Sequence, residues 1–220
     1  MSDMSGTKAL ALEAHCRKVN RAFIRFDYIG HGQSSGTFAD GTIGGWLENS
    51  LAIIDNVSNG PQILVGSSMG GWQMLLVARE RKERVFGLIG IAAAPDFTEE
   101  LMWQKFSRSE KEQILRDRII YLPSEYEERG LPISLNLIED GRKHLILDSN
   151  SLDIVCPVHL IHGMNDPDVP WHTALRIADK LNGENVSVTL VKNGDHRLNE
   201  KADLNRLMSV IDNMAAEHCI

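Results

Sequence analysis

The stretch Gln62-Ile63-Leu64-Val65-Gly66-Ser67-Ser68-Met69-Gly70-Gly71-Trp72 joins a short apolar run directly to a helix-forming one, GWQMLLVARE. Its centre, Gly66 to Gly70, fits the pattern G-x-S-x-G. A chain that turns from strand to helix within one residue imposes strained dihedrals on the serine and calls for small neighbours. Ser68 is then expected to project above a sheet as a nucleophile, with the Met69 N–H and the helix N-terminus facing a developing oxyanion. The pattern alone discriminates poorly, since average glycine and serine usage gives about 0.1 chance matches in a chain of this length. A second match, Gly32-Gln33-Ser34-Ser35-Gly36, is present. Context separates the two: Ser34 runs on into TFADGTIGG, a loop, whereas Ser68 has a strand before it and a helix after it. Ser67 reads as a small residue at the strand end.

Outward from this turn the chain repeats strand, turn and helix. Helical periodicity covers Thr7 to Val19, Ile43 to Val57 and Gly70 to Arg81, and continues after the middle of the chain at Trp171 to Leu181 and Lys201 to Ala216. Strand-like runs are AFIRFDY (Ala22 to Tyr28), QILV (Gln62 to Val65), VFGLIGI (Val85 to Ile91), VHLIH (Val158 to His162) and VSVTLV (Val186 to Val191). Strands apolar on both faces, alternating with helices, predict an α/β fold with a mostly parallel sheet covered on both sides. Residues 95–150 break the rhythm with helix-like segments such as Glu110 to Ile119, with Pro123, Pro132 and many charges, and with no convincing sheet strand. They are expected to form a lid inserted into a single domain spanning residues 1–220.

Two further loops fall on the same rim as Ser68, because parallel strands share one direction. After VHLIH comes Gly163-Met164-Asn165-Asp166-Pro167-Asp168-Val169-Pro170, and after VSVTLV comes Gly194-Asp195-His196. A carboxylate there would orient a histidine, and the histidine would take the serine proton. Asp166 is preferred to Asp168 because it lies nearer the strand end, and Asp195 reads as a residue that shapes its loop. A loop histidine is more often a solvated or capping group than a catalytic one. Three residue types in the order Ser, Asp, His, each after its own strand, favour Ser68, Asp166 and His196 as a triad. His159 alternates with apolar residues and reads as a hydrogen-bonded core group. His159 and His162 lack a third ligand for a metal, so no metal or cofactor is expected, and His31 reads as a turn residue.

Composition narrows the class further. Over 220 residues the formal charge is −7, with no basic stripe, which argues against nucleic acid or an anionic membrane as partner. Hydrophobic residues make up 43%, enough for a sizeable core. Three scattered cysteines, Cys16, Cys156 and Cys219, offer no disulfide framework and suit a reducing compartment. No run reaches membrane-span length, and the opening MSDMSGTKAL lacks the regions of a secretory signal. The expectation is a cytoplasmic protein.

DYIGHGQSSG, GPQILVGSSMGGW, LIHGMNDPDVPWH and NGDHRLNEKADL together resemble the serine α/β-hydrolase family, and within it the mitochondrial acyl-thioesterase branch with its bacterial relatives. The likeness covers nearly the whole chain and is thinnest between Thr98 and Leu147. It implies catalytic roles for Ser68, Asp166 and His196, small acyl thioesters, carboxylic esters or acylated proteins as substrates, and the mitochondrial matrix as the alternative compartment. In that family three strands and an oxyanion loop precede the first helix. This sequence opens at the tail of that loop, so a shortened start is expected, with Met1 and Ser2 at the border of the oxyanion hole. Loss of one oxyanion donor lowers rates by about 10² to 10³. Two other functions fit the same residues: a carbon–carbon bond hydrolase with a different lid, or a non-catalytic module lacking the oxyanion segment.

Overall fold

The computed structural model describes residues 3–123 and 130–217. Its main sheet has four strands, β1 (Gln62–Ser67), β2 (Val85–Ile91), β5 (Val158–Gly163) and β6 (Val186–Val191), in that order and all parallel. Parallel neighbours require crossovers, and helices supply them: α3 (Met69–Glu80) links β1 to β2, and α6 (His172–Lys180) links β5 to β6. The remaining helices are α1 (Thr7–Lys18), α2 (Ile43–Asn56), α4 (Arg108–Asp117), α5 (Leu135–Gly141) and α7 (Lys201–Ala216). Side chains alternate across each strand, so the sheet builds two cores. Leu88, Val158 and Leu160 face α2, α3 and α6 in the larger core, with Trp46, Trp72 and Ile177. Ile89, Ile91 and Ile161 face the opposite side, where Leu12 of α1 and Leu207, Ile211 and Met214 of α7 close the smaller one.

Local chemistry sets several helix starts. The Thr42 hydroxyl accepts from the Gly45 N–H at the head of α2, and Ser107 and Glu110 form a reciprocal capping box at the head of α4.

Two expectations need correction. Ala22 to Tyr28 carries a strand pattern, yet none of its residues enters a strand pairing. Its side chains still divide between the two layers: Phe23 packs on the smaller core with Ile63 and Val65, while Tyr28 packs on the larger one with Leu64. The segment is extended but unladdered, because alternation places side chains and only a neighbouring backbone makes a strand. Consequently β1 is a sheet edge, and its Ile63, Leu64 and Val65 are only half-buried.

The second correction concerns the segment between β2 and β5. It contains a small antiparallel pair of its own, β3 (Ile119–Leu122) with β4 (Leu131–Ser134), separate from the main sheet. Pro132 is tolerated there because a two-stranded ribbon has two free edges.

Burial contrasts sharply between neighbouring strands, and stability should follow it. Leu88 of β2 is fully buried, so Leu88→Ala should lower unfolding free energy by about 2–5 kcal/mol. Leu64→Ala on the half-buried edge strand should cost less than half as much. Urea titrations of both variants check the ordering.

Candidate active site

Ser68 sits between β1 and α3 with φ 54° and ψ −120°. A non-glycine residue holds such a conformation only when its surroundings enforce it. Here the end of β2 and the segment after it do so: the Ser68 N–H donates to the Ile91 carbonyl at 2.9 Å, and the Ala94 N–H donates to the Ser68 carbonyl at 3.1 Å. The serine occupies the N-cap position of α3, yet its side chain makes no cap hydrogen bond. Its hydroxyl is therefore available to another partner. The small residues around the turn serve different ends. A Cβ on Gly66 would collide with the Gly70 carbonyl, and one on Gly71 would strike Ala93, whereas a Cβ on Gly70 would meet nothing within 4 Å. Close approach thus explains Gly66 and Gly71; Gly70 has no steric reason to be glycine.

The loops after β5 and β6 meet directly above this turn. The Asn165 N–H donates to the Gly194 carbonyl at 2.9 Å and the Met164 N–H to the Val191 carbonyl at 2.8 Å. A Cβ on Gly163 would overlap the Gly194 and Asp195 carbonyls, so glycine permits this backbone contact. Asp195 accepts from the Arg197 and Leu198 N–H groups and so closes its own turn. The outcome is a continuous chain of contacts: His196 Nε2 lies 3.1 Å from Ser68 Oγ, and His196 Nδ1 lies 2.8 Å from Asp166 Oδ2. With a proton on Nδ1, Nε2 is free to accept from the serine hydroxyl.

The Asp166 side chain is fully buried. Burial alone pushes its carboxyl upward, but hydrogen bonds from His162, His196 and the Val169 N–H outweigh that and hold it well below the usual carboxylate range. Oδ1 accepts from the N–H groups of Asp168 and Val169, both at 2.8 Å, and Oδ2 accepts from His196 and faces His162 at 3.2 Å. Asp166, Asp168 and His196 place donor atoms within 4.8 Å of one another, a spacing that could suit a cation. The Asp166 oxygens are already saturated by N–H donors, which leaves that carboxylate no free lone pair for a metal.

His162 is the residue that sequence reasoning passed over. It read as structural, and it is buried, but its Nε2 faces both the Val169 carbonyl at 3.1 Å and the Asp166 carboxylate. Its place near the end of β5, four residues before Asp166, was the available signal. Ser34, in the second G-x-S-x-G, instead donates to the Asp27 carbonyl at 2.7 Å, with no α-helix at its back. His31 packs among Tyr28, Phe38 and Trp46, and His159 bonds Ser187 and Thr189. Met69 opens α3 directly after the serine. Met1, Ser2 and Cys219 lie outside the described residues, and Cys16 and Cys156 are free thiols. No helix among the described residues is long and apolar enough to cross a membrane.

A parallel sheet with a strained serine turn, an acid loop and a histidine loop along one rim defines an α/β hydrolase, and the alpha/beta hydrolase family model matches residues 8–204. The chain belongs to that family. It is 42% identical over 215 residues to human mitochondrial palmitoyl-protein thioesterase ABHD10, covering 97% of this chain and 70% of that protein, and 43% identical to the mouse protein. The solved mouse alpha/beta hydrolase domain-containing protein 10 superposes with a TM-score of 0.89 over 98% of this chain and 86% of that one. A putative hydrolase from Agrobacterium vitis S4, 41% identical, gives 0.92 over 97% and 84%. The esterase Est1E of Butyrivibrio proteoclasticus, 21% identical, shares the fold.

Two outcomes test the geometry. Gly66→Ala should destabilise by about 1–3 kcal/mol through overpacking, while Gly70→Ala should leave the thermal midpoint unchanged. For Asp166 the folded pKa is depressed, so its ionisation stabilises the fold above the ordinary carboxylate range. That contribution is lost as pH falls below that range. Asp166→Asn should remove this part of the acid limb in a pH series of denaturant unfolding.

Proposed function

We propose that this hydrolase cleaves acyl thioesters and carboxylic esters through an acyl-enzyme on Ser68. The observation that carries the reading is the relay of 3.1 Å and 2.8 Å from the Ser68 hydroxyl through His196 to a buried, ionised Asp166. In the first half-reaction His196 Nε2 takes the hydroxyl proton as Ser68 Oγ adds to the acyl carbonyl carbon. Asp166 holds the Nδ1–H tautomer and stabilises the imidazolium that forms. The Met69 N–H, at the N-terminus of α3, donates to the oxyanion. Collapse of the tetrahedral intermediate breaks the bond to sulfur or oxygen, and His196 returns its proton to the leaving group. Water then repeats the sequence on the acyl-serine, releasing the acid and restoring Ser68.

His162 acts through Asp166, as a second donor that fixes the carboxylate under His196. The relatives named palmitoyl-protein thioesterase support long acyl thioesters, including acylated proteins, as the substrate class. The same relatives are named as mitochondrial, which favours the mitochondrion over the cytoplasm as the site of action. Residues 95–150, between β2 and β5, serve as the lid of a single domain.

Ser68→Ala should lower kcat by about 10⁴-fold or more for palmitoyl thioester and short p-nitrophenyl esters alike. A fluorophosphonate probe should label the native chain at Ser68 and spare the variant. Absence of both turnover and labelling in the native chain would instead identify a hydrolase-like module without chemistry. His162→Ala should reduce kcat with KM little changed, since His162 touches the acid rather than the substrate.

A further inference from the structure

Asp96 is the other buried carboxylate near the elbow, and the mechanism above does not use it. It lies five residues beyond β2, is 2% exposed, and has φ +59°. Ala92, four residues earlier, also has positive φ, at +44°, and is fully buried. Strained non-glycine residues this close together, in a buried segment, mark a junction held by its surroundings. The segment between them carries the Ala94 N–H that holds the Ser68 carbonyl.

Asp96 grips both ends of the chain that leaves β2 and returns toward β5. Its backbone carbonyl accepts from the Glu99 and Glu100 N–H groups, which starts the outgoing π-helical turn Thr98–Trp103. Its carboxylate accepts from the returning backbone: Ile146 N–H at 2.9 Å to Oδ1 and 3.0 Å to Oδ2, and Leu147 N–H at 2.7 Å to Oδ2. The same returning stretch is fastened to the elbow helix, because Trp72 Nε1 donates to the His144 carbonyl at 3.2 Å and Trp72 packs edge-on against Phe97. The outgoing turn is fastened to α6 by the paired Arg176–Glu100 contacts at 2.7 Å.

We propose that Asp96 is a positioning residue, a clasp that fixes the inserted segment against the Ser68 elbow and thereby sets the preference for long over short acyl groups. This rests on the acyl-hydrolase reading of Ser68. The two backbone amides of the insertion and the one that holds Ser68 are separated by only Pro95 and Asp96 itself on the β2 side. Any loosening of the clasp moves the insertion relative to the nucleophile, and a long acyl chain feels that displacement where an acetyl group does not.

The clasp is also poised to titrate. Burial pushes the Asp96 carboxyl up to about 6, against the Leu147 and Ile146 N–H groups, which lower it. Glu100 on the outgoing turn and Asp148 on the returning stretch raise it further, and Arg176 of α6 is the cation that feels it. Above about pH 6 both amides donate to a charged carboxylate; protonated on Oδ1, it keeps Oδ2 for both amides but loses the Ile146 bond to Oδ1 and the charge that strengthens the rest, and the clasp slackens. Global stability moves the other way. A folded pKa above the unfolded value means that ionisation costs the fold, a cost that fades as pH drops through about 6.

Two readouts test this on the whole chain. The ratio of kcat/KM for palmitoyl to acetyl thioester cancels titration of His196, which both substrates share. In the native protein this ratio should fall about tenfold between pH 8 and pH 5. Asp96→Asn, with only one acceptor oxygen, should give a low ratio without a pH step. Amide exchange at Ile146 and Leu147, taken relative to β2 amides, should accelerate about tenfold over the same range and should already be fast in the variant. A flat ratio with unchanged amide protection overturns the clasp, and the native protein alone decides this should the variant not fold. Turnover without an amide step also overturns the clasp. An amide step without turnover of either substrate upholds the clasp as a structural device and sinks the acyl-hydrolase reading instead.

Discussion

The Ser68 backbone, twisted to φ 54° and held through both its N–H and its carbonyl by the end of β2 and the residues just after it, is the constraint on which the site depends. A serine in ordinary extended N-cap geometry would turn its hydroxyl toward its own helix N-terminus and cap it, as Ser107 does. Here the turn makes no cap bond with Oγ, and two backbone hydrogen bonds hold the strain, one to the last residue of β2 and one from the segment just after it. Because those bonds involve Ile91 and Ala94, the chain that holds the Ser68 turn is also the chain along which the inserted segment departs. The placement of the insertion and the conformation of the serine are therefore two consequences of one piece of chain.

The acid is built on the opposite principle. Ser68 has a strained backbone and a hydroxyl that meets only His196, whereas every oxygen of Asp166 is engaged. A buried carboxylate survives only when its lone pairs are met, and four N–H groups meet those of Asp166. That saturation keeps it ionised and fixes the imidazole of His196 along a single line to Ser68. His162 belongs to this arrangement as much as His196 does, although the two face different work. Asp96, by contrast, has fewer donors and stays near the point where burial wins, which makes it the one buried carboxylate in the region suited to respond to pH.

Ser68, Asp166 and His196 were legible in the primary structure because each follows an apolar strand, and strands in a parallel sheet end on one side. The four strands of the main sheet and every α-helix except α5 were legible from periodicity, with bounds that shift by one or two residues. The Ser34 motif was separable because no helix-forming run follows it. What could not be read was pairing. Ala22 to Tyr28 has the side-chain alternation of a strand and even sorts Phe23 and Tyr28 to opposite cores, yet it lacks a neighbour to bond. The β3–β4 ribbon escapes a reading of the sequence because each strand is only four residues long, one holds a proline, and the pair needs only each other.

Sequence by itself determined the fold class and singled out Ser68, Asp166 and His196 as residues that would meet on one rim, since both follow from local patterns repeated along the chain. Tertiary structure alone decided the partners of those residues. It brought His162 to Asp166, clasped Asp96 to Ile146 and Leu147 fifty residues away, and made close approach the reason for Gly66 and Gly71 but not Gly70. The physical reason is that periodicity reports which face a side chain takes, while hydrogen bonds and backbone contacts between distant segments depend on how the elements come together in space.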